Sequence, residues 1–137
     1  MYNVDMKETF ENYLIKNQIK PTKQRLQIAS LVFIKDQHFT ASDLIEKINK
    51  SKINISQATI YNTLCLFESK GLLKIINLDN EQKFYDTNLS HHHHIYNLNN
   101  HSLFDVPEDK ITFSKLPKIP ETMKVEKTEV VIKVINK

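Results

Sequence analysis

Residues 56–72, SQATIYNTLCLFESKGL, decide the fold. Ser56 is a favoured N-cap type, Ile60, Leu64 and Phe67 recur at helical spacing, and Gly71 is the only glycine in the chain. A glycine just past the last apolar repeat reads as a helix stop, because the left-handed backbone of that position is cheap only without a Cβ. The spacing predicts a helix over 57–70. Gln57, Tyr61 and Asn62 fall largely on the side away from the apolar set. Amide and hydroxyl side chains near a helix N-terminus offer short reach with both donors and acceptors, as reading of base edges in a major groove requires.

Working upstream, the same periodicity predicts three further helices. Met6 to Asn17 places Phe10, Tyr13 and Leu14 at helical spacing. Thr22 caps a second helix whose stripe of Leu26, Ile28, Ala29, Val32 and Phe33 runs to about Lys35. Thr40-Ala41-Ser42-Asp43 reads as a capping box that launches Leu44, Ile45 and Ile48. Downstream of Gly71 the period becomes strand-like: Leu72 to Ile76 and Lys83 to Asp86 flank the turn-forming Asp79-Asn80, which predicts a hairpin. Helices followed by a two-stranded hairpin is the order of a winged helix-turn-helix domain, and the Ser51 to Ile55 connection suits the winged variant.

The chain divides near residue 87. In residues 88–137, His93 to Tyr96, Ser102 to Val106 and Met123 to Ile135 are strand candidates, and Pro107, Pro117 and Pro120 exclude a long helix between them. Fifty residues make a poor independent core. The expectation is a homodimer that buries the final strand against a second copy.

Composition bounds the function classes. The chain has 137 residues, one cysteine and a formal net charge of +3. A single cysteine excludes an internal disulfide and any zinc site built from several thiolates. No run approaches the roughly 20 apolar residues needed to span a bilayer, and the N-terminus carries acids where a signal peptide needs bases, so no membrane association and a cytoplasmic location are expected. Lysine outnumbers arginine eighteen to one, so the basic balance is weak information about partners. The local cluster Lys20, Lys23, Arg25 and Lys35, without an intervening acid, is compatible with phosphate contact. There is no glycine-rich phosphate loop and no nucleophile elbow, and an enzyme is not expected.

The second chemical signal is Asp86 followed by His91-His92-His93-His94. In a strand, alternate imidazoles such as His92 and His94 point the same way, roughly 6–7 Å apart. That spacing suits two ligands of one ion, with Asp86 as an oxygen ligand and His38 as another, and imidazole with carboxylate fits Zn²⁺, Fe²⁺ or Mn²⁺. Cys65 reads as a small buried hydrophobe within the fourth helix, and His101 as a loop residue or a spare ligand.

Several motifs, in order and spacing, resemble the Fur family of metal-responsive transcriptional repressors. They are Pro21-Thr-Lys-Gln-Arg-Leu, His38-Phe-Thr-Ala-Ser-Asp-Leu, Ser56-Gln-Ala-Thr-Ile-Tyr-Asn-Thr-Leu and Glu68-Ser-Lys-Gly-Leu-Leu. Asn62 in the fourth helix, Tyr85-Asp-Thr-Asn, the triple histidine His92 to His94, and the ending from Pro120-Glu-Thr-Met-Lys-Val to Glu129-Val-Val-Ile-Lys-Val are most similar to the Irr branch, the iron response regulators.

The resemblance implies an α+β chain: a winged helix-turn-helix DNA-binding domain over 1–87, then a small α/β dimerisation and ligand-sensing domain over 88–137. It implies an iron-homeostasis and haem-metabolism repressor, bound as a homodimer to A/T-rich double-stranded DNA. Lys23, Arg25, Ser56, Gln57, Thr59, Tyr61 and Asn62 become the DNA-contacting set, with Arg25 in the minor groove and Tyr61 on thymines. His38, Asp86, His91, His92, His93 and His94 become the site for haem or iron, with zinc or manganese as alternatives there. The family's paired CxxC motifs are absent, since Leu98-Asn99-Asn100-His101 stands in that region, so no structural zinc held by four cysteines is expected. An ordinary Fur-type repressor using iron, manganese or zinc is the alternative within the class, and a histidine-rich metal buffer or chaperone the alternative outside it.

Overall fold

The computed structural model describes residues 4–78 and 83–137, with side chains from Lys7 onward. The chain forms two compact units, Met1–Leu89 and Ser90–Lys137.

The first unit is built from four helices and three short strands. Helix α1 (Val4–Lys16) buries Phe10 and Leu14, and α2 (Lys23–Val32) buries Leu26, Ile28, Ala29 and Val32. Thr22 caps α2 by accepting the Arg25 N–H, as its residue type predicts. The helix stops at Val32, short of the expected Lys35, with Phe33 as its C-cap. Helix α3 (Ala41–Lys50) starts in a complete capping box: Thr40 Oγ1 accepts the Asp43 N–H at 3.1 Å, and Asp43 Oδ2 accepts the Thr40 N–H at 3.0 Å. Helix α4 (Gln57–Ser69) begins at Ser56 and ends where Gly71, at φ +75°, takes the left-handed position. There the Leu72 N–H reaches back to the Phe67 carbonyl at 2.9 Å, closing the last turn.

After α4 the chain forms β2 (Lys74–Ile76) and β3 (Phe84–Asp86), paired antiparallel. The expected turn residues Asp79 and Asn80 lie outside the described residues. The sequence reading missed one strand: β1 (His38–Thr40) pairs with the other edge of β3, giving the order β1-β3-β2. Three residues are too few to show a period, and β1 exists because β3 offers it an edge. The core of this unit is one apolar cluster running from Phe10 through Ile28, Ile48, Ile60 and Phe67 to Tyr85. Phe33, half-buried, links it by an edge contact to Tyr13 and a tilted one to Phe67, with ring centroids at 5.3 and 5.2 Å.

The second unit is a three-stranded sheet in the order β5-β4-β6. β4 (His92–Asn97) and β5 (Leu103–Pro107) are an antiparallel hairpin, and β6 (Val131–Val134) lies parallel to β4. A short 3-10 turn, Glu108–Lys110, follows β5. The strand expected over Met123 to Ile135 is regular only over Val131–Val134. The ladder stops at Val130 because its N–H is taken by a side chain, Nδ1 of His93 at 2.9 Å. This unit buries few apolar residues, Tyr96 and Leu103, beside three buried histidines, His92, His93 and His94. Phe104, Leu116, Met123 and Ile135 stay more than half exposed.

Candidate metal centre and nucleic-acid interface

The strand period splits the histidine run between two faces. His92 and His94 share one face of β4, with ring centroids 4.6 Å apart, and His91 and His93 share the other at 5.1 Å. Register then brings in a residue the sequence reading did not name. His94 stands directly opposite Asp105 of β5, so the Asp105 carboxylate falls on the His92/His94 face. Asp105 Oδ1 lies 3.4 Å from His92 Nε2 and 3.5 Å from His94 Nε2. Both imidazole side chains are buried, while the carboxylate remains partly open to solvent.

The donor set fits a small divalent ion. Tetrahedral coordination with bonds of about 2.1 Å places neighbouring ligand atoms about 3.4 Å apart, which matches these separations. Two imidazoles and a carboxylate are borderline donors suited to zinc, iron or manganese. His92 is also oriented for ligation: Nδ1 lies 2.7 Å from the Ser90 carbonyl, which only accepts, so the proton belongs on Nδ1 and the lone pair on Nε2. The signal for Asp105 was present in the sequence. It amounted to an acid within the second of two neighbouring strand candidates; the β4–β5 register decides which histidine it faces.

His93 is used differently. It is 1% exposed and its Nδ1 accepts the Val130 N–H, fastening β6 beside β4, with Phe113 against its ring. His91 is half-buried on the same face as His93. His101 sits in the β4–β5 turn at φ +62°, with Nδ1 2.8 Å from the Tyr96 hydroxyl.

In the first unit, His38 and Asp86 are Cα partners across the β1–β3 pair. Asp86 is 1% exposed, and its Oδ1 accepts the Asn88 N–H at 2.9 Å.

Of the DNA-contact candidates, Ser56, Gln57, Tyr61 and Asn62 are exposed at the start of α4, with Tyr61 48% exposed. Thr59 is half-buried, and its hydroxyl accepts from Ser56 Oγ at 2.9 Å within the cap. Lys23 is exposed in the first turn of α2, and the Arg25 guanidinium donates to the Lys20 carbonyl at 3.0 Å. Cys65 is exposed, a correction to the expected burial: it lies one residue beyond Leu64, about 100° round the helix and off the Ile60–Leu64–Phe67 stripe. Burial pushes the Tyr85 phenol above its usual 10.0, with Cys65, Glu68 and Tyr61 adding to the shift.

A helical unit with a small antiparallel sheet, followed by a sheet unit holding a histidine–carboxylate cluster, defines a two-unit mixed α/β protein with a candidate metal centre. The model of the Ferric uptake regulator family matches residues 16–134, and the chain belongs to that family. It is 32% identical over 91 residues to the ferric uptake regulation protein of Campylobacter upsaliensis, covering 64% of this chain and 58% of that protein. It is 32% identical over 82 residues to the peroxide-responsive repressor PerR of Staphylococcus epidermidis, covering 60% of this chain and 55% of that one. The matched region thus spans little more than half the length of these curated relatives. The solved structure of the ferric uptake regulator from Francisella tularensis with iron superposes with a TM-score of 0.70 at 25% identity, covering 87% of this chain and 92% of that one.

Proposed function

We propose that this chain is a metal-responsive transcriptional regulator, mainly a repressor of iron-homeostasis genes, that binds A/T-rich double-stranded DNA as a cytoplasmic homodimer. The observation that carries the metal part is the convergence of His92 and His94 Nε2 on one oxygen of Asp105. Asp86 and His38 are proposed as further ligands from the first unit, on the family resemblance. His91 and His93 lie on the other face of β4 and drop out of the primary set. A bound Fe²⁺, Mn²⁺ or Zn²⁺ would supply the positive charge that holds these donors together. The face favours a divalent ion over haem, because two buried imidazoles and a carboxylate within 3.5 Å form a compact N,N,O donor set. Kinship with the iron response regulator branch rests on the Ala58 to Leu64 and His92 to His94 motifs. A metal buffer or chaperone is disfavoured: exchange of ions calls for accessible imidazoles, and His92, His93 and His94 are buried.

For DNA, the first unit is read as the winged helix-turn-helix domain. The N-terminal half of α4 enters the major groove through Gln57, Tyr61 and Asn62, with the wing of residues 72–86 on the backbone. Ser56 and Thr59 fix the start of that helix through their cap, and Lys23 contacts phosphate. Arg25 probes a narrow, A/T-rich minor groove. The second unit is read as the dimerisation domain, because its exposed Phe104, Leu116, Met123 and Ile135 need a partner surface and a second copy supplies one.

The test is a duplex-binding titration of the purified chain with an A/T-rich palindrome and with a scrambled duplex, in chelator and with Fe²⁺, Mn²⁺, Zn²⁺ or haem. Preferential binding to the palindrome that a divalent ion alters supports the reading. Equal affinity for both duplexes with every ligand refutes it.

A further inference from the structure

Side chains, more than burial, hold β6 at both ends. It is an edge strand of four residues, and Ile132 within it and Ile135 just after it are exposed. At its start, His93 Nδ1 accepts the Val130 N–H. At its end, the Leu98 N–H donates to the Val134 carbonyl at 2.8 Å, and asparagines continue the contact. Asn97 Oδ1 accepts the Asn99 and Asn100 N–H groups at 2.8 and 3.2 Å, which shapes the β4–β5 turn. Backbone N–H groups only donate, so this end of the Asn97 amide is its oxygen and its nitrogen points the other way. Asn97 Nδ2 donates to Asn136 Oδ1 at 2.8 Å, and the Asn136 N–H returns to Asn99 Oδ1 at 2.7 Å. Two bonds thus close a ring between the turn and the residues after β6.

In this corner Leu98-Asn99-Asn100-His101 stands in place of the family's paired cysteines. The side chains present do not fit a zinc ion, which takes thiolate, imidazole or carboxylate. Each of the four asparagine oxygens already accepts a hydrogen bond, that of Asn100 from the Ser102 N–H and hydroxyl at 3.0 and 2.6 Å. The one imidazole of the turn, His101, has Nδ1 against the Tyr96 hydroxyl.

We propose that Asn97, Asn99 and Asn136 form a metal-independent clasp that fixes β6 in register beside the histidine strand β4. A short parallel edge strand with little burial slides or frays. Pins at Val130 and at Asn136 oppose both motions. The second unit therefore stays closed in the metal-free protein. The clasp uses none of His92, His94 and Asp105, so it stands whether or not they hold an ion. Where they do, the ion meets a strand already in place, and its binding is not spent on folding the unit.

The test is amide hydrogen exchange of the full chain in chelator, read at Leu98 and, as a folding control, at Leu64 in α4. In the wild type, Leu98 is expected to stay protected after chelation. Asn97→Asp keeps the oxygen that shapes the turn and loses the donor to Asn136; Asn136→Ala loses the acceptor. Each is expected to exchange Leu98 faster by about fivefold, the loss of one hydrogen bond, with Leu64 unchanged. Asn136→Asp keeps the accepting oxygen and is expected to retain wild-type protection. An unprotected Leu98 in the chelated wild type overturns the proposal, and its recovery on adding Zn²⁺ shows that an ion closes this corner instead. Wild-type protection in either Asn97→Asp or Asn136→Ala also overturns it, as does an Asn136→Asp chain that exchanges as fast as Asn136→Ala. If Asn97→Asp loses Leu64 protection too, Asn136→Ala decides, because it alters an exposed side chain.

Discussion

His92 and His94 stand with their rings 4.6 Å apart on one face of β4, each aiming Nε2 at the same Asp105 oxygen. The neighbouring His93 turns away to hold the Val130 N–H. The parity of the strand thus separates the pair that faces Asp105 from the ring that fastens β6.

The first prediction tests that separation. His92→Ala, His94→Ala and Asp105→Ala should each weaken divalent-metal binding by more than the roughly 10–100-fold typical of outer-shell losses. His93→Leu should leave metal affinity nearly intact and instead lower stability by about 1–3 kcal/mol, since it strands the Val130 N–H. Metal titration and urea unfolding of the same four variants decide between these outcomes.

Tyr61, 48% exposed near the start of α4, is one of the side chains proposed to read bases. Tyr61→Phe should reduce the preference for the A/T-rich palindrome over random duplex more than it reduces total affinity. Equal losses on both duplexes, measured by anisotropy, would make Tyr61 a backbone-positioning residue.

Local stops and starts carry measurable stability. Thr40→Ala removes the oxygen that accepts the Asp43 N–H and should cost about 1 kcal/mol. Gly71→Ala should cost about 1 kcal/mol for a different reason: an added Cβ meets nothing within 4 Å, but the backbone is held at φ +75°. Denaturant midpoints of the two variants test both figures.

Alkaline pH should loosen the first unit. Burial raises the phenols of Tyr85 and Tyr13 above their usual 10.0, with Cys65, Glu68 and Tyr61 contributing at Tyr85. A folded value above the unfolded one gives stability that is complete below pH 10 and lost as pH rises through the raised value. Unfolding midpoints should therefore fall above pH 10, and fall less steeply in Tyr85→Phe than in the wild type.

The sequence by itself determined whatever depends on a few consecutive residues. Thr22, Thr40 and Ser56 each announced a helix start, because a side-chain oxygen there meets an N–H three positions on. Gly71 announced a stop, because only glycine enters the left-handed region cheaply. In the histidine run, a strand period was enough to pair His92 with His94 on one face. What depended on distant partners stayed hidden. β1 exists only as a neighbour of β3, the final strand shortened because His93 took the N–H of Val130, and Cys65 proved exposed because the helix stripe passed it by. Asp105 became a candidate ligand only when the β4–β5 register set it opposite His94. Caps and turns are decided by energies local to the chain, whereas a coordination site is a coincidence of side chains from separate strands. That coincidence is fixed by register, which only tertiary structure sets.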